Sequence, residues 1–108
     1  DRIGHALDER DRAQARRAER SAVILGKPTV WHNRRSRHSG TVRPIKTFVD
    51  AHGRECREFS HTIIIDGQKQ TGIGIGCRNK HGKWVLEGGP MARASSLRAD
   101  SAPWSSIK

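Results

Sequence analysis

Cys56 and Cys77 are the two residues of this 108-residue chain best suited to covalent chemistry with one another, and the sequence between them decides whether they meet. Phe59-Ser60-His61-Thr62-Ile63-Ile64-Ile65 is followed by Asp66-Gly67 and then by residues 68–76. Asp-Gly between two β-type runs is a strong hairpin signal, because both turn residues tolerate positive φ. With Asp66 and Gly67 as the loop, Ile65 faces Gln68 and the numbers of each cross-strand pair add to 133, as do 56 and 77. Counting outward from the turn places the cysteines in a non-hydrogen-bonded pair, with Cα atoms about 4.5–5.5 Å apart, inside the window for a disulfide. A cross-strand disulfide is therefore expected, which would place the chain in a secreted, periplasmic or surface setting. Two readings compete with it. One is a pair of buried free thiols. The other is a zinc set of Cys56, His61, Cys77 and His81. Neither spacing in that set is the tight knuckle of two cysteines, and residues 56 and 61 of one strand point to opposite faces.

Other candidate chemistry is sparse. Gly72-Ile73-Gly74-Ile75-Gly76 has the look of a nucleotide-binding loop, but such a loop must open a helix, and this one leads into Cys77 and a turn. In the 133 register Phe59 faces Gly74 and His61 faces Gly72, so the glycines read as room for larger neighbours. Paired catalytic carboxylates, a Ser-His-Asp arrangement and a nucleophile elbow are absent, and the six His form no ligand pattern. The reading is of a non-enzyme with no catalytic residue, no cofactor and no metal site.

Charge supplies the remaining candidate. The net charge is +10, and residues 26–49 hold six basic side chains and no acid. Arg34, Arg35, Arg37 and Arg43 form a candidate anion-binding patch, fit for nucleic acid, lipopolysaccharide phosphates or anionic surface polymers. Trp31 and Trp84 read as core closers, with Trp31 as a stacking platform in the nucleic-acid alternative.

These residues need elements to position them. Residues 8–25 read as a helix with Asp8 at the N-cap and Asp11 three positions on, in capping-box fashion. Ala15, Ala18, Ala22 and Leu25 recur at helical spacing as a narrow small-residue face, and Gly26-Lys27-Pro28 stops the helix. The Arg-rich remainder reads as a solvated face with internal Asp/Glu–Arg pairing. Strands are expected at 29–32, 41–50, 55–66, 68–78 and 83–87, joined by short loops that favour an antiparallel meander. From Gly88 on, Gly-Gly-Pro and five Ser suggest a flexible or loosely docked tail with Trp104 as its one anchor. The domain plan is thus an N-terminal helix over 1–26, an antiparallel β domain over 27–88 and a flexible C-terminal tail over 89–108. The fold class is α+β: one helix, then a four- or five-stranded antiparallel meander with one cross-strand disulfide.

The apolar share is only 33%, with three Trp, two Phe and no Tyr, so the core must be small. No run approaches a membrane span and no signal peptide is evident. The chain opens on Asp1, which reads as a fragment or a processed product.

A series of motifs resembles a known family. Trp31 and Asn33 are followed by Gly40-Thr41-Val42-Arg43-Pro44 and Cys56-Arg57-Glu58-Phe59. Then come Ile63-Ile64-Ile65-Asp66-Gly67, Gly74-Ile75-Gly76-Cys77-Arg78 and His81-Gly82-Lys83-Trp84. In this order they resemble the C-terminal domain of the rickettsial-type seventeen-kilodalton surface antigen family, glycine-zipper outer-membrane lipoproteins of Gram-negative bacteria. The resemblance covers roughly residues 7–87. The chain departs from the family at Arg34 and Arg37, where Pro and Gly are usual, and at His81, which replaces Asp; both changes make the surface more basic. What the resemblance implies is a non-enzymatic envelope domain, in a protein anchored to the membrane through a segment absent here. Its expected contacts are lipopolysaccharide, peptidoglycan or an envelope protein. A small nucleic-acid-binding module is the alternative.

Overall fold

The computed structural model describes residues 7–92. The helix α1, Glu9–Leu25, starts where the sequence says it should: Asp8 caps it in extended geometry and accepts the Asp11 amide at 2.7 Å, while the Asp11 carboxylate accepts the Asp8 amide at 3.0 Å. Two otherwise orphaned donors of the first turn are thereby satisfied reciprocally. At the other end Gly26, at φ 67°, turns its amide back to Ala22 O at 2.8 Å, a left-handed cap that glycine adopts without strain.

Five strands follow, β1 (Thr29–Asn33), β2 (His38–Val49), β3 (Glu55–Ile65), β4 (Gln68–Arg78) and β5 (Trp84–Gly88). They pair antiparallel in the order β1-β2-β3-β4-β5, the expected meander. The Asp66-Gly67 turn has φ of 51° and 79°, and Ile65 faces Gln68. From there the β3–β4 register runs without a bulge to Cys56 opposite Cys77, with Phe59 facing Gly74 and His61 facing Gly72. The cysteines form a disulfide with Cα atoms 4.0 Å apart, nearer than the spacing expected from the pair class.

α1 covers one face of the sheet. Ala15, Ala18, Ala22 and Val23 pack on Trp31, Val42, Phe59, Ile63, Ile65 and Met91, all buried. Short side chains let the helix lie close, and Gly76 extends that fit: a Cβ there would stand 2.8 Å from Val23 Cγ1. Here the structure corrects the expected helix face. Val23 fills the position opened by Gly76, while Leu25 turns outward, 61% exposed. The disulfide lies on the other face, flanked along the ladder by Phe48 of β2 and Val85 of β5.

Most strand ends match the expectation or shift by a single residue, and two differences are larger. β2 begins at His38 rather than at residue 41, because Asn33 and His38 both bond Asp11 beneath them and draw the strand ends together. β5 runs to Gly88, and residues 89–92 are buried, with Met91 in the core, so these first four residues of the expected tail belong to the folded domain. The rest of that tail, including Trp104, lies outside the described residues.

Candidate functional site

The expected patch residues are placed in two groups. Arg34, Arg35 and Arg37 occupy the turn between β1 and β2, all exposed. Arg43 is exposed on β2, opposite Ser60, five residues beyond His38. At the rise of a strand that is about 17 Å from the turn, so Arg43 stands apart from the other three. None of the four makes an ion pair with a described carboxylate.

The turn is held from below by Asp11. Its Oδ1 accepts the Asn33 side-chain amide and the Ser36 hydroxyl, each at 2.7 Å, and its Oδ2 meets His38 Nδ1 at 2.8 Å. Asn33 in turn accepts the Arg35 amide at 3.1 Å, and Ser36 Oγ accepts the His38 amide at 3.1 Å. Ser36 thus points inward while its three Arg neighbours point out, and Arg37 takes positive φ, 68°, to complete the turn. Burial works to raise the Asp11 pKa, but the bonds from Ser36, His38, the Asp8 amide and Asn33 outweigh it and hold the carboxyl below its ordinary value of 3.8. One ionised carboxylate therefore caps α1 and shapes the arginine turn.

A second buried carboxylate lies two turns further along α1. Glu19 Oε2 meets His61 Nδ1 at 2.6 Å, and His61 Nε2 accepts the Trp31 indole N–H at 2.9 Å. All three side chains are buried. Burial pushes the Glu19 pKa above its ordinary 4.5, against the pull of the His61 hydrogen bond, Arg16 and the Met91 amide, while its Oε1 has no hydrogen-bond partner. An acid–imidazole pair can act as a general base when the second ring nitrogen faces a nucleophile. Here that nitrogen faces an indole donor inside the core, so this series of hydrogen bonds ties core elements together and presents no base to a substrate.

These two clusters go beyond the sequence reading, which gave Asp11 the capping box alone, left the rest of α1 to a solvated face with Asp/Glu–Arg pairing, and found no ligand pattern among the six His. A signal was present. Asp11 continues the Ala15, Ala18, Ala22 stripe backward at helical spacing, and His61 alternates with Phe59 and Ile63 on the inward side of β3. Arg57 is a third such residue. From β3 its guanidinium donates to Val23 O at the helix C-terminus and its Nε donates to Thr47 Oγ1 at 2.9 Å, while the guanidinium stacks 4.9 Å from the Trp84 ring centroid. It supplies the cation that the last turn of α1 lacks.

The zinc set is not assembled. The sulfurs are bonded to each other, and His61 lies on the opposite face between Glu19 and Trp31. Among the described residues, one grouping of His, Cys, Asp or Glu is close enough to share an ion: Asp50, Cys56 and Cys77. Its sulfurs are the disulfide, and Asp50 is engaged by the backbone and side chain of Arg54 and the His52 amide, which hold its carboxyl below the usual range. Trp31, buried and bonded to His61, offers no face for stacking a base.

Residues 25–85 match the family model described as 17 kDa outer membrane surface antigen. The chain belongs to this surface antigen family. It is 32% identical over 87 residues to the 17 kDa surface antigen of Rickettsia bellii, covering 78% of this chain and 55% of that protein. With the 17 kDa surface antigen of Rickettsia conorii it shares 34% over 83 residues, 74% of this chain and 52% of the relative. The Rickettsia prowazekii 17 kDa surface antigen is 37% identical over 83 residues, 73% and 52% of the respective lengths. This surface antigen domain thus spans about half the length of the relatives it matches. No solved structure matches it. The match takes in β1 to β4 and the start of β5, and with them the arginine turn, Trp31, His61 and both cysteines.

Proposed function

We propose that this chain is a non-enzymatic surface antigen domain of a Gram-negative cell envelope, in an outer-membrane lipoprotein, and that it binds anionic envelope polymers through the arginine turn. Family membership supports the surface or envelope setting, and the disulfide is consistent with an oxidising compartment. The observation that carries the binding role is the turn itself. Three exposed arginines are presented by a backbone fixed to a buried carboxylate, and among the described residues no acid pairs with them. A preformed fork of guanidinium groups suits phosphate or carboxylate groups arrayed on a polymer.

Co-sedimentation with purified lipopolysaccharide aggregates and with peptidoglycan sacculi tests this. The chain should pellet with at least one of them in a salt-dependent manner, and Arg34→Glu/Arg35→Glu/Arg37→Glu should abolish it. Arg43→Glu, lying apart, should weaken it less. Undiminished pelleting of the triple variant would remove the turn as the contact.

A further inference from the structure

Strand β1 is an edge. It pairs with β2 alone, and on its other side residues 30–32 make no backbone hydrogen bond to another element among the described residues. Sheet edges are usually guarded by charge, proline, a bulge or a covering element. β1 carries no Lys, Arg, Asp or Glu, its pairing with β2 has no bulge, and Val30 stands 72% exposed.

α1 runs antiparallel beside this edge without closing on it. Gln14, Arg17, Ala18 and Ser21 form one wall and the first four residues of β1 the other, around a solvent-open groove of about 330 Å³. The walls are tied at both ends. Thr29 Oγ1 donates to Ala18 O at 2.6 Å, and the Asn33 side chain donates to Asp11 at 2.7 Å. The groove is thus preformed between a free strand edge and a fixed helix.

We infer that this groove takes an extended, acidic peptide segment of a partner protein, added as a further strand on the β1 edge. Strand addition uses such an edge for main-chain bonds and the flanking surfaces for specificity. Alternate side chains of the added strand turn to opposite faces. One set meets Arg17, Gln14 and Ser21 on the helix, and the other lies beside Val30. Among the described residues Arg17 and His32 are the titratable ones lining the groove and no acid lines it, and its far end leads to Arg34 and Arg35. That charge selects glutamate or aspartate toward the helix and a β-branched residue beside Val30. It also disfavours a second copy of this chain, since pairing β1 with β1 would bring two Arg17 side chains and two arginine turns together in molecules of charge +10. This peptide groove is a surface distinct from the polymer contact proposed for the turn.

The test is an amide NMR titration of the folded chain with a capped octapeptide that alternates glutamate with valine and threonine. Two further peptides are N-methylated at the odd or at the even positions. The expected result is shifted amides across residues 30–32, with new exchange protection only where the N–H points away from β2, and binding abolished by one methylation pattern and kept by the other. Arg17→Glu, a change at an exposed position, should weaken the unmodified peptide about tenfold. Absence of binding overturns the inference. So does binding that survives both methylation patterns, which is diffuse charge attraction, or perturbation confined to residues 34–37, which is the arginine turn. Self-association of the peptide-free chain through the β1 amides overturns it too, by assigning the edge to a second copy.

Discussion

Trp31 donates its indole N–H to His61 Nε2 at 2.9 Å, and that bond assigns the proton of a buried imidazole. A neutral ring has one donor and one acceptor nitrogen, so Nδ1–H is left to donate to Glu19 Oε2 at 2.6 Å. One chain of hydrogen bonds thereby joins β1, β3 and α1 through the core. β2 contributes by omission: a Cβ on Gly40 would stand 2.3 Å from Trp31 Nε1 and 2.9 Å from His61 Nε2. The glycine of the Gly40-Thr41-Val42 motif is what leaves space for the bond.

Trp31→Phe keeps an aromatic ring but removes the donor, stranding His61 Nε2 where water cannot reach it. The expected loss is about 1–3 kcal/mol, before the smaller ring's missing contacts are added. Urea denaturation of the two proteins measures it. A variant within about 0.5 kcal/mol of the parent, the range of an ordinary surface change, would show that the bond contributes nothing.

Glu19 gives the stability a pH dependence of definite sign. Its folded pKa lies above the unfolded value near 4.5, because burial penalises the carboxylate more than His61, Arg16 and the Met91 amide relieve it. The folded chain therefore holds this proton more tightly than the unfolded one. Its contribution is fully present below pH 4.5 and is lost as pH rises through the folded pKa. Glu19→Gln keeps an acceptor for His61 and cannot ionise. The stability of the variant relative to the parent should rise with pH above 4.5 and be flat below it. A difference independent of pH, measured by denaturant unfolding from pH 4 to 8, would contradict the raised pKa.

The parts of the fold that follow from short-range rules were legible in the sequence. Asp8 with Asp11 marks a helix start, Gly26 a stop, and Asp66-Gly67 sets a register that carries through to Cys56 and Cys77 because no bulge intervenes. Phe59 against Gly74 was readable for the same reason. What could not be read was which polar residues turn inward. Asp11 and Glu19 sit among arginines along the chain, and their partners Ser36, His38 and His61 are 25, 27 and 42 residues away. Periodicity placed Asp11 and His61 on inward faces, but composition outweighed it, since charged residues are seldom fully buried unless paired. The separation of Arg43 from the other arginines was hidden too, because β2 starts earlier than its first apolar residue suggests.

Asp11→Asn tests the carboxylate that serves both helix and turn. The amide replaces an acceptor oxygen with a donor, facing Asn33, Ser36, His38 and the Asp8 amide, at a cost on the order of 3 kcal/mol. The pKa of Asp11 is lowered in the fold, so its contribution is fully present above the unfolded value near 3.8 and is lost as pH falls through the folded value. The gap between parent and variant should therefore close at the acid end, opposite in direction to the Glu19 effect. Amide exchange at residues 34–37 should quicken in the variant even where the sheet stays protected. Unchanged exchange there would mean that the turn holds its shape without Asp11.

Reduction of Cys56–Cys77 separates what the disulfide does from what the turn already does. The bridge spans a sequence separation of 21. On a chain-entropy estimate, closing that loop destabilises the unfolded state by about 3 kcal/mol. For a domain of this size that corresponds to a fall in Tm of about 10–20 °C. The Asp66-Gly67 turn and the Phe59–Gly74 contact fix the β3–β4 register without help from sulfur, so the reduced chain should keep its strand pairing and lose only resistance to heat. Thermal circular dichroism of the chain with and without reductant, compared with Cys56→Ser/Cys77→Ser, makes the separation. A lower Tm with the same native spectrum places the effect on the unfolded chain, a changed spectrum makes the bridge part of the register, and an unchanged Tm would show that the hairpin already closes the loop in the unfolded ensemble.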